Sequence, residues 1–154
     1  MLFICTHNSA RSQMAEGLLR HIAGDRFEAF SAGTEATAVR PEAIAAMAEL
    51  GIDISGQTSK TLDRYLGQPF AWVITVCDHA RQSCPVFPGA DRTAHWGFDD
   101  PSEAAGADEE RMAVYRRVRD EIADRVRIFA PAGGRDDQPT PPPTVIAEES
   151  GRAP

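Results

Sequence analysis

The junction between a short apolar run and a helical pattern, close to the start of the chain, constrains the fold more than any other feature. Residues 2–4 are apolar and indicate a buried strand, and residues 13–19 carry apolar side chains at helical spacing. A strand that turns directly into a helix leaves a row of backbone N–H groups at the positive end of the helix dipole. The sequence therefore predicts an anion-binding loop between residues 5 and 12.

Cys5 and Arg11 give this loop its chemistry. A guanidinium group binds an oxyanion through two parallel hydrogen bonds, and a thiol beside cations and a helix N-terminus loses its proton readily. The alternative is that Cys5 is a small buried apolar residue and Arg11 a surface charge. Ser12 and the strand–helix context favour a nucleophilic cysteine placed against a tetrahedral oxyanion.

The composition excludes several classes of protein. A chain of 154 residues that is 42% hydrophobic suits one domain, and a formal net charge of −7 argues against a nucleic-acid surface. No signal peptide is apparent, no apolar run could span a bilayer, and three cysteines fit a reducing compartment better than a disulfide framework. We therefore expect a cytoplasmic protein without membrane or nucleic-acid partners.

The remaining pattern alternates strands with helices. We predict helices over 12–23, from Pro41 to a stop at Gly51, and over 109–129, with strands over 27–31, 71–76 and 93–96. Such an alternation predicts an α/β fold, a small parallel sheet with helices on both faces, and ligands at the carboxyl end of its first strand. Residues 131–154 are rich in proline and polar residues, which predicts a disordered tail behind a catalytic domain of residues 1–130.

A second informative stretch contains Cys77, His79 and Cys84. Cys77 ends a predicted strand and therefore lies at the same sheet edge as Cys5. The two cysteines are either unremarkable, or metal ligands together with His79 and His95, or a redox relay. The spacing is not that of known zinc sites, which disfavours the metal. A relay explains why a sheet edge with one activated thiol holds a second.

The chain resembles a known family in these stretches. The loop with Cys5, Arg11 and Ser12 is similar to the P-loop of low-molecular-weight tyrosine phosphatases and, more closely, to that of the arsenate reductases sharing their fold. The resemblance extends over about residues 1–129 and implies a four-stranded, flavodoxin-like sheet. The Cys-x6-Cys-Pro pattern at Cys77 and Cys84 is similar to the redox segment of thioredoxin-coupled reductases, and the tyrosine phosphatases lack it.

The resemblance implies roles for individual residues. Cys5 would attack arsenate, Asp100 would protonate the leaving oxygen, and Cys77 and Cys84 would pass the disulfide on to thioredoxin, with no bound cofactor or metal. Ser12 would stabilise the Cys5 thiolate by a hydrogen bond. The residues implied to surround the oxyanion, with phosphate or sulfate as competitors of arsenate, are Thr6, His7, Asn8, Ser9, Ala10 and Arg11.

The Asp-Pro pair at Asp100 has a simpler alternative, because an aspartate before proline often starts a turn. For the whole chain, the alternatives are a low-molecular-weight tyrosine phosphatase or small-molecule phosphomonoesterase, and a non-enzymatic arsenic or redox sensor. The sensor has little support because no basic DNA-reading module is present. We expect a monomeric reductase with weak phosphatase activity.

Two further expectations concern ions and motion. In similar reductases a potassium ion is held beside the P-loop by positions matching Asn8, Glu16, Ser31 and Thr58, but the matching fifth ligand, an aspartate, is Lys60 here. An ammonium group cannot bind a cation, so we predict no potassium. We also predict that residues 78–92 refold in each turnover. If residues 78–83 form a short helix in the reduced protein, its two turns separate Cys77 and Cys84 too far for a disulfide, so the helix must unwind.

Overall fold

The computed structural model describes residues 1–77 and 89–130. Cys84, His79, most of the predicted refolding segment and the predicted tail therefore lie outside the described residues. The boundary between a catalytic domain and a tail at residue 130 stays a prediction.

A four-stranded parallel sheet forms the centre of the molecule, in the order β2-β1-β3-β4. Strand β1 is fully buried, as expected for a central strand of a parallel sheet, and it pairs from Leu2 with Phe30 of β2 and Val73 of β3. The strands are β1 Leu2–Cys5, β2 Phe30–Gly33, β3 Phe70–Thr75 and β4 Ala90–His95.

Helices connect and cover the strands. They are α1 Arg11–Ala23, α2 Pro41–Ala48 and α3 Asp108–Phe129, with 3-10 turns at Leu62–Tyr65 and Pro101–Glu103. Helix α1 packs on β1 and β2 and runs beside α3, whose buried side chains recur at helical spacing from Tyr115 to Phe129. Phe129 packs edge-on against Trp72 and Trp96, which closes the core at the end of α3. No helix among the described residues is long and apolar enough to cross a membrane.

The predicted α/β fold with its parallel four-stranded sheet is confirmed. The predicted bounds of strand β2, residues 27–31, were wrong. The strand begins at Phe30 and ends at Gly33. The N–H groups of Arg26 and Phe27 both bind the carbonyl of Ala23 and close the turn after α1, while the Phe27 ring packs on Phe129. The alternating pattern that predicted a strand at residue 27 therefore reflects a loop residue, Phe27, that is half-buried because it packs against Phe129.

Strand β4 begins three residues before its predicted start. The residues left out of the predicted strand include Asp91 and Arg92, which are charged. Charged residues are less typical of strands than of loops. An edge strand accepts charged side chains on its open side, and Arg92 lies over the Trp72 ring at 5.9 Å.

Candidate active site

The loop from Cys5 to Arg11 joins the carboxyl end of β1 to the first residue of α1. Backbone hydrogen bonds fix it from the side of β2: the N–H of Thr34 binds the carbonyl of Cys5 at 3.2 Å, and that of Glu35 binds the carbonyl of Thr6 at 2.9 Å. A side chain at Gly33 would lie 2.7 Å from the Thr6 carbonyl and 2.8 Å from the Asn8 nitrogen. Only glycine lets β2 approach the loop this closely.

Asn8 gives the loop its bend. Its φ of +52° lies in the left-handed region that asparagine tolerates, and its side chain is fully buried. The Oδ1 atom accepts hydrogen bonds from Gln13 Nε2 and the Lys60 N–H, both at 2.9 Å, and Nδ2 donates to Ser12 Oγ at 2.8 Å. The loop is thus tied to α1 and to the segment that ends at Lys60.

Arg11 lies across the mouth of the loop and is 8% exposed. Its NH1 group donates to the carbonyl of Phe98 at 3.0 Å, and its NH2 group lies 3.4 Å from Oδ2 of Asp100. Its Nε is buried and has no hydrogen-bond partner among the described residues. A buried, unused donor beside the loop N–H groups suits an incoming oxyanion oxygen.

Asp100 both caps a turn and faces Arg11. Its Oδ1 accepts hydrogen bonds from the N–H and the hydroxyl of Ser102, at 3.0 and 2.7 Å, which starts the 3-10 turn. Its Oδ2 is directed to Arg11. The neighbouring Asp99 is 75% exposed and pairs with Arg117 at 3.2 Å. Asp100 therefore starts the turn with one carboxylate oxygen and faces the site with the other.

Cys77 follows β3 and is buried beside Cys5. Thr6 Oγ1 and Cys77 Sγ form a hydrogen bond of 3.2 Å. A hydrogen bond between the two thiols, followed in importance by burial, raises the pKa of Cys5, while Arg11 and the Thr6 N–H act to lower it. The sequence analysis predicted a readily ionised Cys5. The cation and the helix terminus, which both lower the pKa, were the only influences that the sequence revealed. Two adjacent thiolates repel each other, so the pair gives up a first proton far more easily than a second.

Arg11, Cys77 and Asp100 line one cavity of about 580 Å³, and Cys5 is buried next to Cys77. The structure brings together Cys5, Arg11, Cys77 and Asp100 of the predicted site residues. The other lining residues include Thr6, His7, Glu35, Phe98, Asp99 and Glu103.

The metal set that the spacing disfavours is only partly described, because His79 and Cys84 lie outside the described residues. Among the residues that the structure describes, no group of three or more histidine, cysteine, aspartate or glutamate side chains is arranged to hold a metal ion. His95 instead forms a 2.7 Å hydrogen bond with Thr75. His7, which the resemblance places around the oxyanion, lies 3.5 Å from Glu35 at the cavity.

Sequence reasoning missed two residues that hold the loop. Gln13 is fully buried and binds Asn8 and Thr58, and Gln57 binds Gln13. The available signal was an uncharged polar residue on the inward side of an amphipathic helix. Two partners of Gln13, namely Gln57 and Thr58, lie 44 and 45 positions away, and no local pattern reveals such contacts.

This fold and this loop define a class of α/β proteins that present a cysteine thiol to a tetrahedral oxyanion. The family model for low molecular weight phosphotyrosine protein phosphatase matches residues 1–138. The chain belongs to that family, and the resemblance stated from the sequence is confirmed.

Among relatives, the chain is 53% identical over 131 residues to an arsenate reductase of Halalkalibacterium halodurans, covering 85% of this chain and 94% of the relative. It is also similar to the structures of an arsenate reductase in the oxidized state, with a TM-score of 0.71 and 33% identity, and of one in the phosphate binding state, with a TM-score of 0.67 and 34% identity. Each match covers 82% of this chain and 92% of the other.

Proposed function

We propose that this chain is an arsenate reductase that converts arsenate to arsenite with electrons from its own cysteines. The observation that carries the proposal is the position of Cys77: its Sγ lies 3.2 Å from Oγ1 of Thr6, the residue after Cys5, in a cavity that Arg11 also lines. A phosphatase needs one thiol at this position. A reductase needs two, because reducing arsenic from the +5 to the +3 state takes two electrons.

The first step uses the loop and Arg11. The loop N–H groups from Thr6 to Ala10 and the Nε of Arg11 bind the arsenate oxygens and stabilise the negative charge that builds up on them. The Cys5 thiolate attacks arsenic, an S–As bond forms, and Asp100 donates a proton so that one oxygen leaves as water. Ser12 stabilises the thiolate before the attack.

The second step uses Cys77. Its thiolate attacks Sγ of Cys5, an S–S bond forms, and the S–As bond breaks with its electron pair remaining on arsenic, so arsenite departs. Thr6 supports this step because its hydroxyl can donate to the Cys77 thiolate at the 3.2 Å separation. Cys84 then attacks Cys77, which frees Cys5 and leaves a Cys77–Cys84 disulfide for thioredoxin to reduce.

The reaction sets conditions on its surroundings. A disulfide that thioredoxin recycles belongs in a reducing compartment, so we place the activity in the cytoplasm. We also propose that the protein acts as a monomer, and none of the steps needs a bound metal or cofactor.

The test is arsenate-dependent NADPH oxidation in the presence of thioredoxin and thioredoxin reductase. The wild type should turn over continuously. Cys84→Ser should release about one arsenite per chain and then stop, because only the first disulfide can form. Cys77→Ser should release none. Continuous turnover by Cys84→Ser, or arsenite release from Cys77→Ser, would overturn the relay.

A second activity, weak phosphatase turnover, is favoured by the same Cys5, Arg11 and Asp100 arrangement and by the family to which the chain belongs. Phosphate and arsenate are near-isosteric, so the loop can bind either. Phosphatase activity that is indifferent to Cys84→Ser, with no thioredoxin-dependent arsenite formation, would make phosphate ester hydrolysis the main function instead.

A further inference from the structure

The side-chain amide of Gln13 lies directly beneath the oxyanion loop. It is completely buried in the first turns of α1. Its Nε2 donates to the carbonyl of Asn8 at 3.1 Å, to Asn8 Oδ1 at 2.9 Å and to the carbonyl of Thr58 at 2.9 Å. Its Oε1 accepts from Gln57 Nε2 at 2.7 Å. Both polar atoms of this buried amide therefore have hydrogen-bond partners, as a buried amide requires.

The direction of each hydrogen bond follows from groups that cannot reverse their role. The backbone N–H of Lys60 can only donate, so the atom of Asn8 that faces it is Oδ1, and Nδ2 must face Ser12. Backbone carbonyls can only accept, so the nitrogen of Gln13 faces Asn8 and Thr58. The amide orientations in this network are therefore determined by the backbone.

This polarity decides what the Ser12 hydroxyl can do. Ser12 Oγ accepts the 2.8 Å hydrogen bond from Asn8, so its single hydrogen is left to donate elsewhere. If Asn8 turned its side chain around, Oδ1 would accept that hydrogen and none would remain for a thiolate. The positive φ of Asn8 is one that asparagine tolerates, and the hydrogen bonds to its buried side chain hold it there.

We propose that Gln13 is a positioning residue of the active site. It holds Asn8 in its left-handed conformation and fixes the direction of the Asn8–Ser12 hydrogen bond, so that the Ser12 hydroxyl donates to the Cys5 thiolate. The inference rests on the proposed function, in which Cys5 is the nucleophile. Gln57 acts behind Gln13 by holding its Oε1.

The test compares the reactivity of Cys5 in Gln13→Met with that in the otherwise identical chain. Methionine has a similar length but no N–H group. All variants carry Cys77→Ala and Cys84→Ala, so that only Cys5 reacts with iodoacetamide. The alkylation rate is measured against pH, and its midpoint reports the pKa of Cys5. We expect Gln13→Met to raise this midpoint by about one unit, which lowers the reactivity below the midpoint about tenfold.

Ser12→Ala should raise the midpoint similarly, and the Ser12→Ala, Gln13→Met double variant should show no further rise, since both act through one hydrogen bond. Leu19→Ala, a buried residue of the same helix, is the control: it should lower the melting temperature and leave the midpoint unchanged. An unchanged midpoint in folded Gln13→Met, or additive shifts in the double variant, would overturn the proposal.

Should Gln13→Met not fold, Gln57→Met provides the same measurement. It leaves the donors of Gln13 in place but removes the anchor of its Oε1, so a smaller rise is expected, and no rise contradicts the proposal. The alkylation assay contains no arsenate. A chain that fails to reduce arsenate would therefore overturn the proposed function and leave the outcome for Gln13 readable.

Discussion

The ammonium group of Lys60 lies 4.0 Å from Oε1 of Glu16, and 11% and 8% of the two side chains are exposed. Lys60 Nζ donates to the carbonyl of Thr58 at 2.6 Å, while Ser31 and Arg20 donate to the Glu16 carboxylate at 2.5 and 2.7 Å. Burial lowers the pKa of Lys60 and the Glu16 charge opposes that shift. The Lys60 ammonium group therefore lies next to the Glu16 and Thr58 oxygens, where similar reductases hold a potassium ion.

We predict that arsenate turnover does not depend on potassium. The ammonium group already supplies the positive charge beside Glu16 and occupies the Thr58 carbonyl. The measurement is the turnover rate in potassium and in sodium chloride at constant ionic strength, which keeps screening of charges equal. A several-fold difference between the two salts would contradict this prediction.

Lys60→Asp should make the protein respond to potassium. The substitution removes the ammonium group and places a second carboxylate near Glu16 and the Thr58 carbonyl, giving an oxygen-rich site for a cation. The melting temperature of the variant should rise with potassium concentration, since an ion that binds only the folded state stabilises it. Lys60→Met, which adds no oxygen, is the matched control. Equal melting temperatures of Lys60→Asp in sodium and potassium would show that no cation site forms.

The proximity of Cys5 and Cys77 could be predicted because each follows a strand with a clear local pattern. The carboxyl ends of parallel strands meet at one sheet edge, so two local assignments were enough. The pKa of Cys5 could not be predicted in the same way. This pKa depends most on the interaction between the two thiols. Knowing only that both cysteines lie at one edge of the sheet does not reveal that interaction.

The contacts of Gln13 and Lys60 were harder to predict for a physical reason. Both reach Thr58 in the irregular segment before Lys60, and such a segment has no hydrophobic period that reports where it folds. The resemblance to the reductases placed Lys60 near Glu16, whereas the hydrophobic pattern of the sequence alone did not. Phe27 shows the opposite error, because a loop residue buried against Phe129 imitated a strand pattern.

Glu42 predicts an acid-dependent part of the stability. It lies in the first turn of α2 and pairs with Arg111 of α3 at 2.6 Å. A hydrogen bond to its own backbone N–H, and then Arg111, hold the pKa of Glu42 below its usual value. The unfolded chain therefore takes up this proton at a higher pH than the folded protein, and the stabilisation is present above the ordinary pKa of glutamate and disappears as the pH falls below it.

Glu42→Gln should consequently lower the free energy of unfolding by about 1 kcal/mol or less at pH 7, as for other partly exposed ion pairs. The difference should shrink as the pH falls from about 5 to 3. Urea unfolding at each pH measures it. Glu121→Gln serves as a control because Glu121 forms an exposed pair within α3 alone. A difference that stays constant down to pH 3 would mean that the Glu42 charge does not contribute.

Asp100→Asn should reveal whether this carboxyl group donates the leaving-group proton. Phenyl phosphate has a poor leaving group that needs a proton, whereas p-nitrophenolate leaves well without one. Losing a general acid costs about 10²- to 10⁴-fold in rate, so the phosphatase rate on phenyl phosphate should fall far more than that on p-nitrophenyl phosphate. Asp99→Asn is the matched control, because Asp99 is exposed and pairs with Arg117; its effect should be small and equal for both esters. An equal loss on both esters in Asp100→Asn would instead assign Asp100 to holding Arg11, which lies 3.4 Å away.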